Sequence, residues 1–421
     1  MVREPRALEV ELANVPEPKA GEVVVKVRRA GICGSDVHIL HGSNPFAVYP
    51  RVIGHEFAGE VFSLGAGVTG IRVGDRVVVD PVLSCGDCYP CRIGRSNVCA
   101  NLQVMGVHRD GGFRDYAAVP ASAIISVPAD MPFSLAALAE PFSIAANVLS
   151  RTGCGPDDTV LIYGAGTVGV TVLQVAKLHG ARCIVADIDE TRLAGARTFG
   201  ADAVIDSRRQ SVFDSVKGEM DGLGPTLVID GAGIPALLNE ACRVASPAGR
   251  IGLLGFSLSP STLSQQDVVS KELTIVGSRL NRRLIPQVVT WLAEGRLKPE
   301  SMITQVFAAA TAREAFDLIE KHPQRTLKVQ LDFFLMAELA RLFRLRIVLQ
   351  RHSRPPLDCS CKSAQTCASR AVTWPWQHHT RGVRFGNARR GFFRNVTLLT
   401  KKERARCLYM SIGVINMACP R

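Results

Sequence analysis

Four cysteines, at 85, 88, 91 and 99, constrain the chain's local fold more tightly than any other feature, because C-x2-C-x2-C-x7-C lets four thiolates converge on one tetrahedral zinc. Gly86, Asp87, Pro90 and Gly94 between and beside them suit a turning, ligand-presenting loop. Four unrelated buried thiols, or a disulfide pair, fit that spacing poorly. A site whose four positions are all protein sulfur is closed, so its role is structural. Metal binding there supplies folding energy to a lobe too loop-rich to bury a core of its own.

A second donor set lies around it. Cys33 sits on the Gly-flanked stretch Gly31-Ile32-Cys33-Gly34-Ser35-Asp36-Val37-His38, and Gly54-His55-Glu56 follows. Alone, a cysteine reads as a small core residue and a histidine as a structural one. Together with Glu140 in Ala139-Glu140-Pro141 they offer sulfur, imidazole and carboxylate, and Cys33, His55 and Glu140 would leave a catalytic zinc an open position. Glu56 is either a fourth, exchangeable ligand or a partner that orients His55.

Further on, Gly164-x-Gly166-Thr167-Val168-Gly169 follows an apolar strand pattern and opens a helical one, and Asp187 comes 18 residues after Gly169. In that context the glycines let backbone approach a pyrophosphate at a helix N-terminus. Asp187 would accept hydrogen bonds from the adenosine ribose. A carboxylate there repels a 2′-phosphate, which favours NAD over NADP, with Arg192 as a further ribose contact.

Short β-branched runs broken by Gly and Pro fill residues 8–127, at 22–28, 60–64 and 76–79, which reads as an irregular β domain. From about 136 the period alternates: strands at 159–163, 182–186, 203–206, 226–230, 250–254 and 273–276, with helices at 167–179 and 190–199. The expected fold class is α/β. A β-rich domain of 1–145, completed by 286–333, flanks a doubly wound parallel-sheet nucleotide domain of 146–285.

The 88 residues from Phe334 differ in character. They carry 17 Lys or Arg against 3 Asp or Glu, or +14 of a net +12, while 33 basic against 35 acidic residues leave the first 333 at −2. The basic balance therefore belongs to this tail, read as disordered and adventitious, and gives no reason to expect a specific nucleic-acid or membrane partner. Cys359, Cys361, Cys367, His378 and His379 are too irregularly spaced for a zinc site. The opening Met1-Val2-Arg3-Glu4-Pro5-Arg6 lacks the pattern of a signal peptide, and no uncharged apolar run reaches about 18 residues. With thirteen cysteines and no leader pattern, a reduced, cytoplasmic protein is expected.

Gly54-His55-Glu56, the cysteine quartet, Gly106-Val107-His108-Arg109-Asp110-Gly111-Gly112-Phe113 and Glu140-Pro141-Phe142 together carry a resemblance. Positions 1 to about 333 resemble the zinc-containing medium-chain dehydrogenase/reductase family. Glu140 at the third catalytic ligand position is most like its sorbitol-, L-galactonate- and L-idonate-type members, which include a relative named for starvation sensing. The resemblance implies a GroES-like catalytic domain, a Rossmann domain, a cleft between them, two zinc ions per chain, and a homodimer or homotetramer. It implies hydride transfer from a secondary alcohol of a sugar acid or polyol to NAD, with Ser35 passing the hydroxyl proton toward His38 or the cofactor ribose. Arg279, with His108 or Arg109, would bind the small-molecule substrate, since guanidinium suits carboxylates. Family members commonly begin with a few more residues, so a first edge strand is expected to be missing. Within enzymes the alternative is an L-threonine-type dehydrogenase; from another class, a regulator that associates with nucleic acid or membrane through its basic tail.

Overall fold

The computed structural model describes residues 1–220 and 222–333. The basic tail, with its cysteines and histidines, lies outside the described residues.

The first half of the chain builds strands β1 (Glu22–Ile32), β2 (Glu56–Leu64), β3 (Arg76–Val79), β4 (Val82–Leu83), β5 (Gln103–Val104), β6 (Tyr116–Pro120) and β7 (Ile124–Ser126). β4 and β5 form a small ribbon beside the cysteine loop. The next strands, β8 (Thr159–Tyr163), β9 (Arg182–Asp187), β10 (Ala203–Asp206), β11 (Leu227–Asp230), β12 (Arg250–Leu253) and β13 (Thr274–Gly277), form a six-stranded sheet. Its order is β10-β9-β8-β11-β12-β13, and every pairing is parallel. β14 (Ile303–Ala308) and β15 (Lys328–Asp332) return to the first sheet, whose order is β14-β15-β1-β2-β3-β7 with β6 also paired to β1.

The central parallel strands β8, β9 and β11 are nearly continuous apolar runs, as strands covered on both faces must be. The antiparallel strands of the first sheet alternate more, for example β6. Helix Ala139–Thr152 joins the two sheets and packs against β2, β12 and β13. The 145/146 boundary therefore falls inside one continuous helix. Residues Phe133–Thr152 have the length and apolarity to cross a membrane, but they are 72% buried in the fold and contain Glu140 and Arg151. The opening residues are packed as well: Val2 is fully buried and bridges Leu8 and Arg51.

Register sets up the chemistry. Antiparallel pairing places Gly31 opposite both Glu56 and Gln330, and Ile32 opposite Val329. The end of β1, the start of β2 and the start of β15 thus converge, and the first turn of helix Ala139–Thr152 brings Glu140 to the same place.

Candidate active site

At that convergence the ligand atoms of Cys33, His55 and Glu56 lie within 4.8 Å of one another. Cys33 caps helix Gly34–His41, while His55 and Glu56 are buried at the head of β2. Gly31 is required for this arrangement, because a Cβ there would stand 2.0 Å from Glu56 Oε2. The expected third ligand, Glu140, is buried beside the trio but is not part of it, and Glu56, expected as the exchangeable fourth, is. The physical reason is register: Glu56 pairs directly across from the strand that ends at Cys33, whereas Glu140 arrives on a separate helix.

Two residues that sequence reasoning missed shape the trio. Lys328, 1% exposed, donates to both carboxylate oxygens of Glu56 at 2.7 and 2.8 Å and to Ile32 O at 3.3 Å. Burial works against its charge, but Glu56, Cys33 and Glu140 together more than offset burial and raise its pKa. Asp36, fully buried, accepts from Cys33 N at 2.9 Å and Gly54 N at 3.1 Å, and its Oδ1 lies 3.6 Å from His55 Nδ1. It therefore ties together the backbone before both ligands and faces the imidazole. Burial lowers the His55 pKa, yet Asp36 and the Cys33 thiol more than reverse this and hold it well above the ordinary value. Around Glu140, burial pushes the carboxyl up to about 8, with His55 and Lys328 pulling it down and Glu56 and Asp80 pushing it higher. Three buried carboxyls and a thiol against one lysine and one imidazole make a pocket short of positive charge, and the S, N, O donors are those of a catalytic zinc.

Ser35 Oγ lies 3.5 Å from His55 Nε2. The expected relay from Ser35 to His38 is not made. His38 is exposed and its Nδ1 meets Ser43 Oγ at 3.1 Å, because Gly42 in left-handed conformation ends the helix and folds Ser43 back over it.

In the cysteine loop the Sγ atoms of Cys88 and Cys91, Cys88 and Cys99, and Cys99 and Cys85 are 3.4, 3.7 and 3.4 Å apart. That is far beyond a disulfide bond. It is close to the ~3.8 Å that four sulfurs ~2.3 Å from one tetrahedral zinc would keep. Backbone N–H groups of Ala100 and Cys91 point at Cys88 Sγ and bring its pKa down to about 6, while Asp87 pushes Cys85 up to about 12 and burial pushes Cys91 up, so without a metal the cluster favours one thiolate held among thiols.

The nucleotide loop turns from β8 into helix Thr167–Leu178, capped by Gly166. A Cβ on Gly169 would stand 1.8 Å from Gly164 O, so only glycine closes this turn. Thr167 Oγ1 donates to Leu327 O, and Val168 packs partly buried against the domain core. Asp187, at the end of β9, accepts from Ala165 N at 2.6 Å and Asp189 N at 2.8 Å, which fixes the carboxylate at the loop while each oxygen keeps a lone pair. Arg192 donates to Pro323 O at 3.1 Å and reaches to 4.0 Å from where a Gly166 Cβ would stand.

The expected substrate residues divide. The Arg279 guanidinium lies 5.1 Å above the Phe46 ring, whose centroid is 5.9 Å from those of His108 and Phe256. His108 Nδ1 accepts from Val104 N at 3.0 Å, which leaves Nε2 to carry the proton of the neutral ring. Burial, then Arg279 and Arg51, lower its pKa. Arg109 instead lines, with His108, Arg51 and Asp110, a cavity of about 290 Å³.

The family assignment follows from comparison with known proteins. Residues 19–129 match the alcohol dehydrogenase GroES-like domain and residues 167–294 match zinc-binding dehydrogenase. The chain belongs to the zinc-binding alcohol dehydrogenase family. It is 48% identical over 335 residues to the starvation-sensing protein RspB of Escherichia coli K12, covering 79% of this chain and 98% of that one. It is 32% identical over 317 residues to L-galactonate-5-dehydrogenase of the same organism, covering 75% and 93%. A crystal structure of a short chain alcohol dehydrogenase (rspB) from E. coli CFT073, complexed with NADH, superposes with a TM-score of 0.76 at 47% identity, covering 79% and 98%. This zinc-binding dehydrogenase is therefore an NAD(P)-linked alcohol oxidoreductase of GroES-like and Rossmann architecture.

Proposed function

We propose that the dehydrogenase oxidises a secondary alcohol of a sugar acid or polyol with NAD, in a cleft between a catalytic domain of 1–145 and 286–333 and a nucleotide domain of 146–285. One observation carries the substrate reading: Arg279, stacked on Phe46 beside a neutral His108, has no carboxylate partner among the described residues. A cation left without an internal partner suits an anionic substrate. L-galactonate-5-dehydrogenase, a relative, acts on a sugar acid.

Cys33 and His55 would hold the catalytic zinc with Glu56 and Glu140 as its carboxylates, and Cys85, Cys88, Cys91 and Cys99 the second. Bound at these sites, zinc supplies a Lewis acid that lowers the substrate hydroxyl pKa, and NAD supplies the hydride acceptor. Ser35, 3.5 Å from His55 Nε2, would take the hydroxyl proton and pass it toward the cofactor ribose, a reading that the contact between His38 and Ser43 supports. Lys328 holds both carboxylate oxygens of Glu56, and Asp36 faces the His55 ring at 3.6 Å. Asp187 receives the adenosine ribose and disfavours a 2′-phosphate.

Among the described residues β13 is an edge of the parallel sheet, and Leu258, Leu263 and Val269 nearby are exposed, which favours pairing between copies in a homodimer or homotetramer. The eight free cysteines among the described residues suit a reducing cytoplasm. The test is NADH formation by the full chain with zinc against sugar acids, the matching neutral polyols and threonine. Preference for a sugar acid is expected; preference for threonine would replace this reading with the amino-alcohol one.

A further inference from the structure

The side chain of Arg279 projects from a turn that its own sequence does not favour. Leu280 and Arg283 have φ of 52° and 55°, the left-handed region that branched and long side chains avoid. Strain of this kind persists only where the surroundings impose it, and here three elements do. Asn97, 3% exposed, donates from Nδ2 to Arg279 O at 2.6 Å. Asn147, fully buried, donates to Arg279 O at 3.2 Å and Leu280 O at 2.8 Å. Asn281, 1% exposed, donates to Asp80 Oδ1 at 3.0 Å and accepts from Arg283 N at 2.9 Å. Because a carbonyl oxygen can only accept, the amide nitrogens of Asn97 and Asn147 must face Arg279 and Leu280.

The origins of these residues matter more than their number. Asn97 lies two residues before Cys99, in the short helix Ser96–Val98 of the cysteine loop. Asn147 lies two turns along the helix whose first turn carries Glu140. The cysteine lobe and the helix bearing a catalytic carboxylate thus meet on one backbone carbonyl, that of the residue read as the substrate anchor.

We propose that Asn97 and Asn147 are positioning residues for substrate recognition. They hold the Arg279 turn in its strained form, so that the guanidinium stays over Phe46 and beside His108. The cysteine lobe then has a second task beyond folding: it is one jaw of the clamp that sets substrate affinity. This rests on the reading of Arg279 as a substrate contact, and the experiment separates the two claims.

Asn97→Ala and Asn147→Ala are made in the full chain, alongside Arg279→Ala. Zinc content per chain and backbone hydrogen exchange across 278–284 are measured first, then kcat and KM for a sugar acid and its neutral polyol counterpart. Loss of a clamping hydrogen bond is expected to speed exchange in this segment roughly tenfold, and to raise KM for the sugar acid about five- to tenfold with kcat within about twofold. Zinc content stays at the wild-type value, and KM for the polyol moves less. Asn147→Ala lies outside the cysteine lobe, so it gives the same test if Asn97→Ala loosens the metal. Unchanged exchange across 278–284 in both variants would overturn the clamp itself. Faster exchange with Arg279→Ala leaving the ratio of the two KM values unchanged would overturn the role in substrate recognition, and with it the reading of Arg279.

Discussion

Glu140 gives the most direct energetic test of the catalytic centre. Burial holds its carboxyl at about 8, against an ordinary 4.5. The folded, metal-free protein therefore binds more protons than the unfolded chain between those values, and its stability falls as pH rises through them. Each pH unit in that window is worth about 1.4 kcal/mol. By pH 7 the buried carboxyl destabilises the metal-free protein by about 3 kcal/mol, against less than about 1 kcal/mol at pH 5. Glu140→Gln keeps the shape and removes the titration. In chelator, the variant should melt near the wild type at pH 5 and above it by several degrees at pH 7, where a 2 to 3 kcal/mol gap has opened. Added zinc should narrow the gap, because a bound cation offsets the cost of ionising the carboxyl. Thermal melts followed by circular dichroism at half-unit pH steps, with chelator and with zinc, make the comparison. A difference that does not change with pH, or a wild type that gains on the variant as pH rises, would show that Glu140 is not held protonated by burial.

Cys91→Ser should remove one zinc per chain and lower the melting temperature, as metal analysis and a melt will show; an unchanged melt with full zinc content contradicts a structural site. Lys328→Met strands Glu56 as a buried, unpaired carboxylate and should cost about 3–5 kcal/mol, most of it recovered by adding Glu56→Gln. Purely additive losses in that double-mutant cycle would show that the pair is not coupled. Asp187→Ser should lower kcat/KM for NAD roughly tenfold and raise the NADP/NAD ratio, because one charged hydrogen-bond acceptor is lost and the repulsion of a 2′-phosphate is removed; an unchanged ratio places cofactor selection elsewhere.

What could be read from the sequence was local. The cysteine quartet lies within fifteen residues and the glycine loop within six, so spacing alone reports their geometry. Cys33 and His55 were readable because each stands in a short motif with chemistry of its own. That Glu56 lies closest to Cys33 and His55 was not, because it depends on which residue β-sheet register sets opposite the end of β1. Lys328 was missed because it lies 272 residues from Glu56 and looks like any lysine at a strand start. Its one signal was arithmetic: a site with Asp36, Glu56 and Glu140 buried together requires a compensating cation. The partner of His38 depends on something that helical spacing hides. Ser35 and His38 share a helix face, but the turn at Gly42 gives His38 a nearer partner in Ser43. Asn97 and Asn147 meet only in the folded chain, on a carbonyl 182 and 132 residues away.

Hydride transfer from an alcohol to NAD depends on the zinc centre proposed at Cys33 and His55 with their buried carboxylates. Its most direct test is single-turnover NADH formation by zinc-loaded full chain on a sugar acid or polyol it turns over, compared with Cys33→Ser. The variant is expected to lose one of two zinc ions and its hydride transfer while keeping its NADH affinity. Hydride transfer at the wild-type rate in a variant lacking that zinc would contradict it.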